Sequence, residues 1–271
     1  MIGIFDSGTG GLSVLREIVR LLPDEKYVYF SDNAHCPYGD KTPEYIRDRC
    51  RHITRTLLDK GADILVVACN TATAAAIRTL REEFPVRFIG MEPAVKPAVL
   101  GTRTGVIGVL ATAGTLKGSK YLTTKGNYED GCTIVEHVGQ GFVELVEAGI
   151  LTGPEAEAVA ERSLRPLLDQ GADTIVLGCT HYPFLLGTLQ KIAGPGIRFI
   201  DPAPAVARQL VRVMREEGLL DGAGTDGTGT DGTGTEKAGR PSGTPDIELI
   251  SSGDPLPLRR MAGTLWPKNQ S

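Results

Sequence analysis

Two cysteines carry the most chemical information in this sequence. Cys69-Asn70-Thr71 and Cys179-Thr180-His181 each close an apolar run, and the runs correspond: Gly61-Ala62-Asp63-Ile64-Leu65-Val66-Val67-Ala68 parallels Gly171-Ala172-Asp173-Thr174-Ile175-Val176-Leu177-Gly178 at an offset of 110. A lone cysteine ending a buried strand is ordinarily a small apolar filler. Two at equivalent positions of a repeated unit are a pair, and Asn70, Thr71, Thr180 and His181 surround that pair with hydrogen-bonding groups. Two thiols on opposite sides of one small ligand suit inversion of a stereocentre by proton transfer. One base removes the Cα proton from one face and a second group returns a proton to the other. The reverse reaction exchanges their roles, so both should be the same kind of group. Cysteine serves if its pKa, ~8.5 unperturbed, is lowered toward working pH, and helix N-termini at the two strand ends would favour the thiolate. Asp6 is the candidate to manage the proton on the Cys69 side; His181 and Glu147 are candidates on the Cys179 side.

The elements that must position these residues are legible as alternation. Short β-rich runs at 2–5, 27–31, 64–68, 86–90, 105–110, 133–137, 174–178 and 197–200 predict strands. Between them lie helical patterns: Leu12, Leu15, Ile18, Val19 and Leu22 stopped by Pro23, then Ile46, Cys50, Ile53 and Leu57 followed by Gly61, and 203–217 closed by Gly218. Continuous Val/Ile/Leu strands joined by helices predict a parallel sheet covered on both faces. The repeat extends further: Arg87-Phe88-Ile89 matches Arg198-Phe199-Ile200 at offset 111, and Ile2-Gly3-Ile4-Phe5 lines up less closely with Ile107-Gly108-Val109-Leu110 at offset 105. The expected fold class is therefore α/β, two homologous parallel-sheet domains related by a pseudo-two-fold axis, with the active site in the interdomain cleft. The first domain is drawn as 1–95 plus 207–271 and the second as 96–206, with 222–245, built on Gly-Thr-Asp units, a flexible insertion. A strand at 246–250 returns the chain to the fold.

Ligands of open α/β sheets bind beyond the carboxyl ends of the strands. Asp6-Ser7-Gly8-Thr9-Gly10-Gly11 lies at such an end, lacks the Lys-Ser/Thr of a P-loop and does not fit GxGxxG; its N–H groups suit a small anion such as a carboxylate. Cys36-Pro37-Tyr38-Gly39 lies in the next loop, where Cys36 approaches the cleft although the reaction requires no third thiol. Cys50 and Cys132 read as packing residues, His52 and His137 as structural or solvated, and Arg47-Asp48-Arg49 as a solvated helix face.

Composition narrows the classes. With 29 Lys+Arg against 33 Asp+Glu the net charge is −4, so no basic field attracts nucleic acid or anionic membrane. No apolar run approaches the ~18 residues of a membrane span, and the first residues read as a strand rather than a cleavable leader. Five scattered cysteines with no CxxC pair favour a reducing cytoplasm over disulfides or a zinc knuckle.

Taken together, DSGTGG, PYG, CNTATA and GCTHYP, in this order and spacing, closely resemble the glutamate racemases, over 1–220 and again at 247–266, where Ser251-Ser252-Gly253-Asp254 resembles a C-terminal signature. The resemblance implies racemisation of glutamate without PLP or metal, supplying D-glutamate for peptidoglycan in the cytoplasm. It implies Cys69 and Cys179 as acid/base residues, and Asp6, Ser7, Tyr38, Gly39, Asn70, Thr71, Thr180 and His181 as contacts to the amino acid. Glu147 matches the family's acidic helper, with Glu144 a nearby competitor; Asn33 and His35 receive no role. The expected partner is the small-molecule substrate, with no nucleic acid, membrane, metal or cofactor; a homodimer is compatible with the sequence without being specified by it.

Rival readings remain on residues alone. A Cys-His hydrolase or amidotransferase would use Cys179 and His181, although two positions apart at a strand end they need not meet. A metal could be held by Cys69, Cys179 and His181. A bilobal amino-acid sensor would bind without turnover, and racemisation of aspartate would use the same two thiols.

Overall fold

The computed structural model describes residues 1–220 and 245–267; the 222–245 insertion, Pro245 apart, lies outside them. Nine strands alternate with helices along the chain. The first half runs β1 (Ile2–Asp6), α1 (Leu12–Leu21), β2 (Lys26–Ser31), α2 (Pro43–Asp59), β3 (Ile64–Val67), α3 (Asn70–Glu83) and β4 (Arg87–Gly90). The chain crosses through α4 (Val95–Gly101) to β5 (Val106–Ala111), α5 (Ala113–Leu116), α6 (Ser119–Gly126), β6 (Thr133–Val138), α7 (Phe142–Ala148), α8 (Pro154–Leu168), β7 (Thr174–Gly178), α9 (Leu186–Ala193) and β8 (Arg198–Ile200). It returns through α10 (Ala203–Glu216) to β9 (Asp246–Ser251) and α11 (Leu256–Leu265).

The strands form two all-parallel sheets, ordered β4-β3-β1-β2-β9 and β8-β7-β5-β6. Apart from the added β9, the second order is the first with β5, β6, β7 and β8 standing for β1, β2, β3 and β4. The offsets of 105, 110 and 111 thus pair strands that occupy the same place in each sheet. Gly61 and Gly171, equivalent in the repeat, take left-handed φ values of +88° and +85° where α2 and α8 give way to β3 and β7. Strands β1, β3 and β7 are buried along their whole lengths, as helix-covered parallel strands must be.

Burial on the helices follows the expected stripes. In α1, Leu12, Leu15 and Ile18 are fully buried and contribute about 2 kcal/mol each. That helix packs on α10, and α10 also touches β4, so the boundaries drawn at 95/96 and 206/207 fall inside the continuous helices α4 and α10. One apolar cluster runs through both halves, joining Ile4, Leu12 and Tyr29 to Phe142, Leu177 and Tyr182. Phe142 and Tyr182 meet edge to face within it, ring centres 4.8 Å apart. No helix among the described residues is long and apolar enough to cross a membrane.

Candidate active site

The carboxyl ends of β1, β3 and β7 deliver Asp6, Cys69 and Cys179 to the seam between the halves. Cys69 caps the N-terminus of α3, its sulfur accepting the Ala72 N–H at 3.4 Å. It also donates to Ser7 Oγ at 3.8 Å. Cys179 departs from the expectation of a helix N-terminus: a 3-10 turn, Tyr182–Leu185, follows it, and α9 starts only at Leu186. What it meets instead is His181, with Sγ and Nδ1 3.7 Å apart. His181 already has helical backbone angles ahead of the turn, so two side chains that an extended strand would hold on one face but about 7 Å apart come together. The expectation that they need not meet is overturned.

The other imidazole nitrogen is equally engaged. His181 Nε2 lies 2.7 Å from Glu147 Oε1, and the same carboxylate oxygen accepts the N–H of Thr9 at 2.6 Å and its hydroxyl at 3.1 Å. Glu147, on α7, rather than exposed Glu144, is therefore the carboxylate on the imidazole beside the second cysteine. The glycine-rich loop does hold carboxylates, and they are the protein's own: Gly8 and Gly11 N–H groups bond Asp6 Oδ2 at 3.3 and 2.9 Å, and Thr9 bonds Glu147. Its glycines are required by close approach. A Cβ on Gly8 would stand 2.1 Å from Glu147 Oε1, and one on Gly10 2.2 Å from His181 Nδ1.

Burial and charge set the protonation states. Burial raises the Cys69 pKa well above its ordinary value, Asp6 raises it further, and the Ala72 N–H only partly opposes them. The helix terminus thus does not lower this thiol in the free protein; Cys69 rests protonated. Negative charge on Cys179 also reaches Cys69, an electrostatic link between the two strand ends. Burial raises Asp6, with His181 pulling the other way. For His181, burial opposes the charge, but bonds to Cys179, Cys36 and Glu147 overcome it and hold the imidazole well above the ordinary 6.5. Burial likewise opposes ionisation of Glu147, and the His181 and Thr9 bonds win, keeping it below 4.5. At neutral pH the pair is imidazolium and carboxylate, with Nδ1–H available to Cys179.

The remaining residues divide. Asn70, the first residue of α3, has a buried side-chain nitrogen with no hydrogen-bond partner among the described residues. Thr71 Oγ1 bonds Thr112 Oγ1 across the seam at 2.9 Å, and Ser13 Oγ donates to the Thr180 carbonyl at 2.9 Å. Tyr38 is buried with its hydroxyl donated to Asp32 at 2.5 Å, which commits that side chain to bracing the loop; Gly39 follows it in the same turn. A cavity of about 220 Å³ lies on the same seam, lined by Pro37 and Gly39 from one half and Thr112, Gly139, Glu144 and Tyr182 from the other.

Three structural parts escaped the sequence reading. Arg49 is no solvated charge: it grips buried Asp32 with two bonds, 2.9 and 2.7 Å. Its place three residues after Ile46 and four before Ile53, on the apolar stripe of α2, was the available signal. Asn33 ties the loop to the C-terminal signature, accepting from Ser251 Oγ at 2.7 Å and the Gly253 N–H at 2.9 Å while donating to the Asp254 carbonyl at 2.6 Å. Cys36, half-buried, places its sulfur within 4.8 Å of a His181 ring nitrogen.

Residues 2–210 match the family model of the Asp/Glu/hydantoin racemases. A glutamate racemase from Stutzerimonas stutzeri is 45% identical over 269 residues, covering 99% of this chain and 94% of that one. This chain belongs to the racemase family. Solved structures agree in fold. The glutamate racemase of Francisella tularensis in complex with D-glutamate superposes with TM-score 0.78 at 25% identity, covering 100% of this chain and 94% of that one. That of Escherichia coli, in complex with L-glutamate and the activator UDP-MurNAc-ala, gives TM-score 0.74 at 38% identity over 79% of this chain and 82% of that one. The racemase fold thus accounts for the two matched sheets.

Proposed function

We propose that this racemase interconverts L- and D-glutamate by a two-thiol proton transfer, Cys69 and Cys179 acting on opposite faces of Cα. The observation that carries the reading is the equivalence of the two cysteines: each ends the same strand of a duplicated sheet, and each has its own proton handler, Asp6 for Cys69 and His181 with Glu147 for Cys179. One thiolate takes the Cα proton and the opposite thiol gives one back, so a turnover ends with the protonation states exchanged. Asp6 and the His181–Glu147 pair reset them. Cys69 rests protonated, and the Asp6 charge opposes its thiolate, so the substrate ammonium must favour the thiolate when the site is filled, with Asp6 taking up the thiol proton. Asn70, Thr71, Thr180, Ser7 and the Tyr38–Gly39 turn hold the carboxylates and ammonium, and donors at the α-carboxylate stabilise the charge that develops there. The halves drawn as 1–95 with 207–271 and 96–206 act as jaws whose closure excludes water. The mechanism uses no metal and no cofactor; the product is D-glutamate for peptidoglycan, made in the cytoplasm.

Relatives captured with D-glutamate and with L-glutamate support this substrate over aspartate. The line Cys179–His181–Glu147 also has the order of nucleophile, base and orienting carboxylate, which supports a hydrolase as a second reading. Circular dichroism of L-glutamate with metal-free, PLP-free protein, beside Cys69→Ser and Cys179→Ser, separates them. Decay of ellipticity to zero, lost in both variants, is expected. Glutamine hydrolysis that needs Cys179 and ignores Cys69 would replace the racemase reading, and decay with L-aspartate alone would change the substrate.

A further inference from the structure

Cys36 is a thiol that the two-cysteine reaction does not use, yet it sits against the residues that serve Cys179. Its sulfur, a carboxylate oxygen of Glu147 and a ring nitrogen of His181 all lie within 4.8 Å of one another. Tetrahedral zinc, with bonds of ~2.3 Å to sulfur and ~2.0–2.2 Å to nitrogen or oxygen, sets its ligand atoms roughly 3.3–3.7 Å apart. The present spread closes to that with about 1 Å of side-chain rotation. The donor set of one thiol, one imidazole and one carboxylate suits a borderline-soft ion such as Zn²⁺ and does not suit Mg²⁺ or Ca²⁺. The carboxylate is already oriented from behind by the Thr9 N–H and hydroxyl, both on Oε1, while Oε2 accepts no bond from the described residues. This set also differs from the trio of Cys69, Cys179 and His181 that the sequence suggested for a metal: the two reacting thiols stand outside it.

We propose that Cys36, Glu147 and His181 form a zinc-binding inhibitory site spanning the two halves. Cys36 comes from the loop after β2, Glu147 from α7 and His181 from the end of β7, so the ion would staple the seam with three protein ligands and leave the fourth position to water. Binding expels the Cys36 thiol proton and the proton shared by His181 and Glu147 to solvent, with no change of oxidation state. Zinc on Nε2 in place of the proton shared with Glu147 leaves a neutral imidazole whose remaining proton, on Nδ1, is no longer that of an imidazolium acid, so Cys179 loses the group that resets it and turnover stops. The inhibitory consequence rests on the racemase reading; the metal site does not.

The test titrates Co²⁺, then Zn²⁺, into the full-length protein. One equivalent of Co²⁺ should raise a thiolate-to-cobalt charge-transfer band and tetrahedral d–d bands that Zn²⁺ abolishes. Those bands should persist in the doubly substituted Cys69→Ser, Cys179→Ser protein and vanish in Cys36→Ala. Zn²⁺ should inhibit racemisation, reversibly with chelator, and Cys36→Ala should raise the half-inhibitory concentration more than ~10-fold relative to its own metal-free rate. Cys36→Ser, which keeps the size of the side chain, repeats the measurement should the alanine variant lose its fold by far-ultraviolet circular dichroism. Absence of the bands in the unsubstituted protein overturns the proposal, as do bands that survive in both Cys36 variants and disappear with the catalytic thiols. If metal-free protein fails to racemise glutamate, the racemase reading falls, and the cobalt spectrum still decides the site.

Discussion

Glu147 Oε1 stands 2.7 Å from His181 Nε2 while accepting the Thr9 N–H at 2.6 Å, so one carboxylate oxygen joins the imidazole beside Cys179 to the glycine-rich loop of the opposite half. The contact ties the electrostatics of the site to the closure of the seam: separating the halves removes a donor from Glu147, and neutralising Glu147 releases His181 from its partner. The consequences can be measured.

Glu147→Gln should lower kcat about 100-fold by depriving the imidazolium of its counter-charge. Stability at neutral pH should fall by about 2 kcal/mol. Its pH dependence follows from the two shifts. Glu147 is held below its ordinary 4.5, so its contribution is complete above that value and disappears as pH falls through the lowered one. His181 is held above 6.5, so its contribution is complete below that value and disappears as pH rises through the raised one. The wild-type advantage in urea melts should therefore peak between 4.5 and 6.5, extend on either side to the two shifted values, and shrink beyond them. Taking the difference between the two proteins removes the separate slope due to Asp6, whose pKa burial raises. A pH-independent difference would mean the two groups are not an ion pair.

Gly10→Ala should cost more than ~100-fold in activity with the fold intact, because its Cβ would displace a ring positioned to within a fraction of an ångström. The added carbon would lie 2.2 Å from His181 Nδ1, whereas at Gly187 it would meet nothing within 4 Å. Gly187→Ala is therefore the matched control, and equal activity in the two variants would refute the close-approach account of the loop.

Arg49→Ala should destabilise the protein by about 3 kcal/mol, since it leaves Asp32 buried without its counter-charge. Tyr38 shares that carboxylate, so the Tyr38–Gly39 turn should loosen and KM for glutamate should rise. Denaturant melts and steady-state kinetics on the same preparation check both; a loss below about 1 kcal/mol would mean the pair is only a surface contact.

Asn70→Ala should leave melting unchanged or slightly improved, because the side-chain nitrogen has no protein partner to lose. If that amide binds a substrate carboxylate, KM should rise about 10-fold with a smaller change in kcat. A large stability loss with unaltered KM would reassign the amide to the fold.

How much of this was legible beforehand depends on the distance over which each feature is encoded. Strands β1, β3, β4, β5, β7 and β8 were readable because apolar runs and the offsets of 105, 110 and 111 repeat a local pattern, and Gly61 and Gly218 marked helix ends by their need for positive φ. The cysteine pair followed from the same repeat, with no tertiary information. The protonation of Cys69 did not, because burial and the Asp6 charge outweigh the helix terminus and neither can be summed along a chain. Nor did the partners of Arg49 and Asn33. The first is a bond from a helix to a strand end, and the second joins residues separated by 218 positions through the edge pairing of β9 with β2. Cys179 met His181 through a 3-10 turn that the sequence did not announce. Sequence by itself determined the duplicated α/β plan, the two thiols and their candidate acids. Only the tertiary structure decided which charges face one another, because pKa values and bond partners depend on distances across the seam rather than on spacing along the chain.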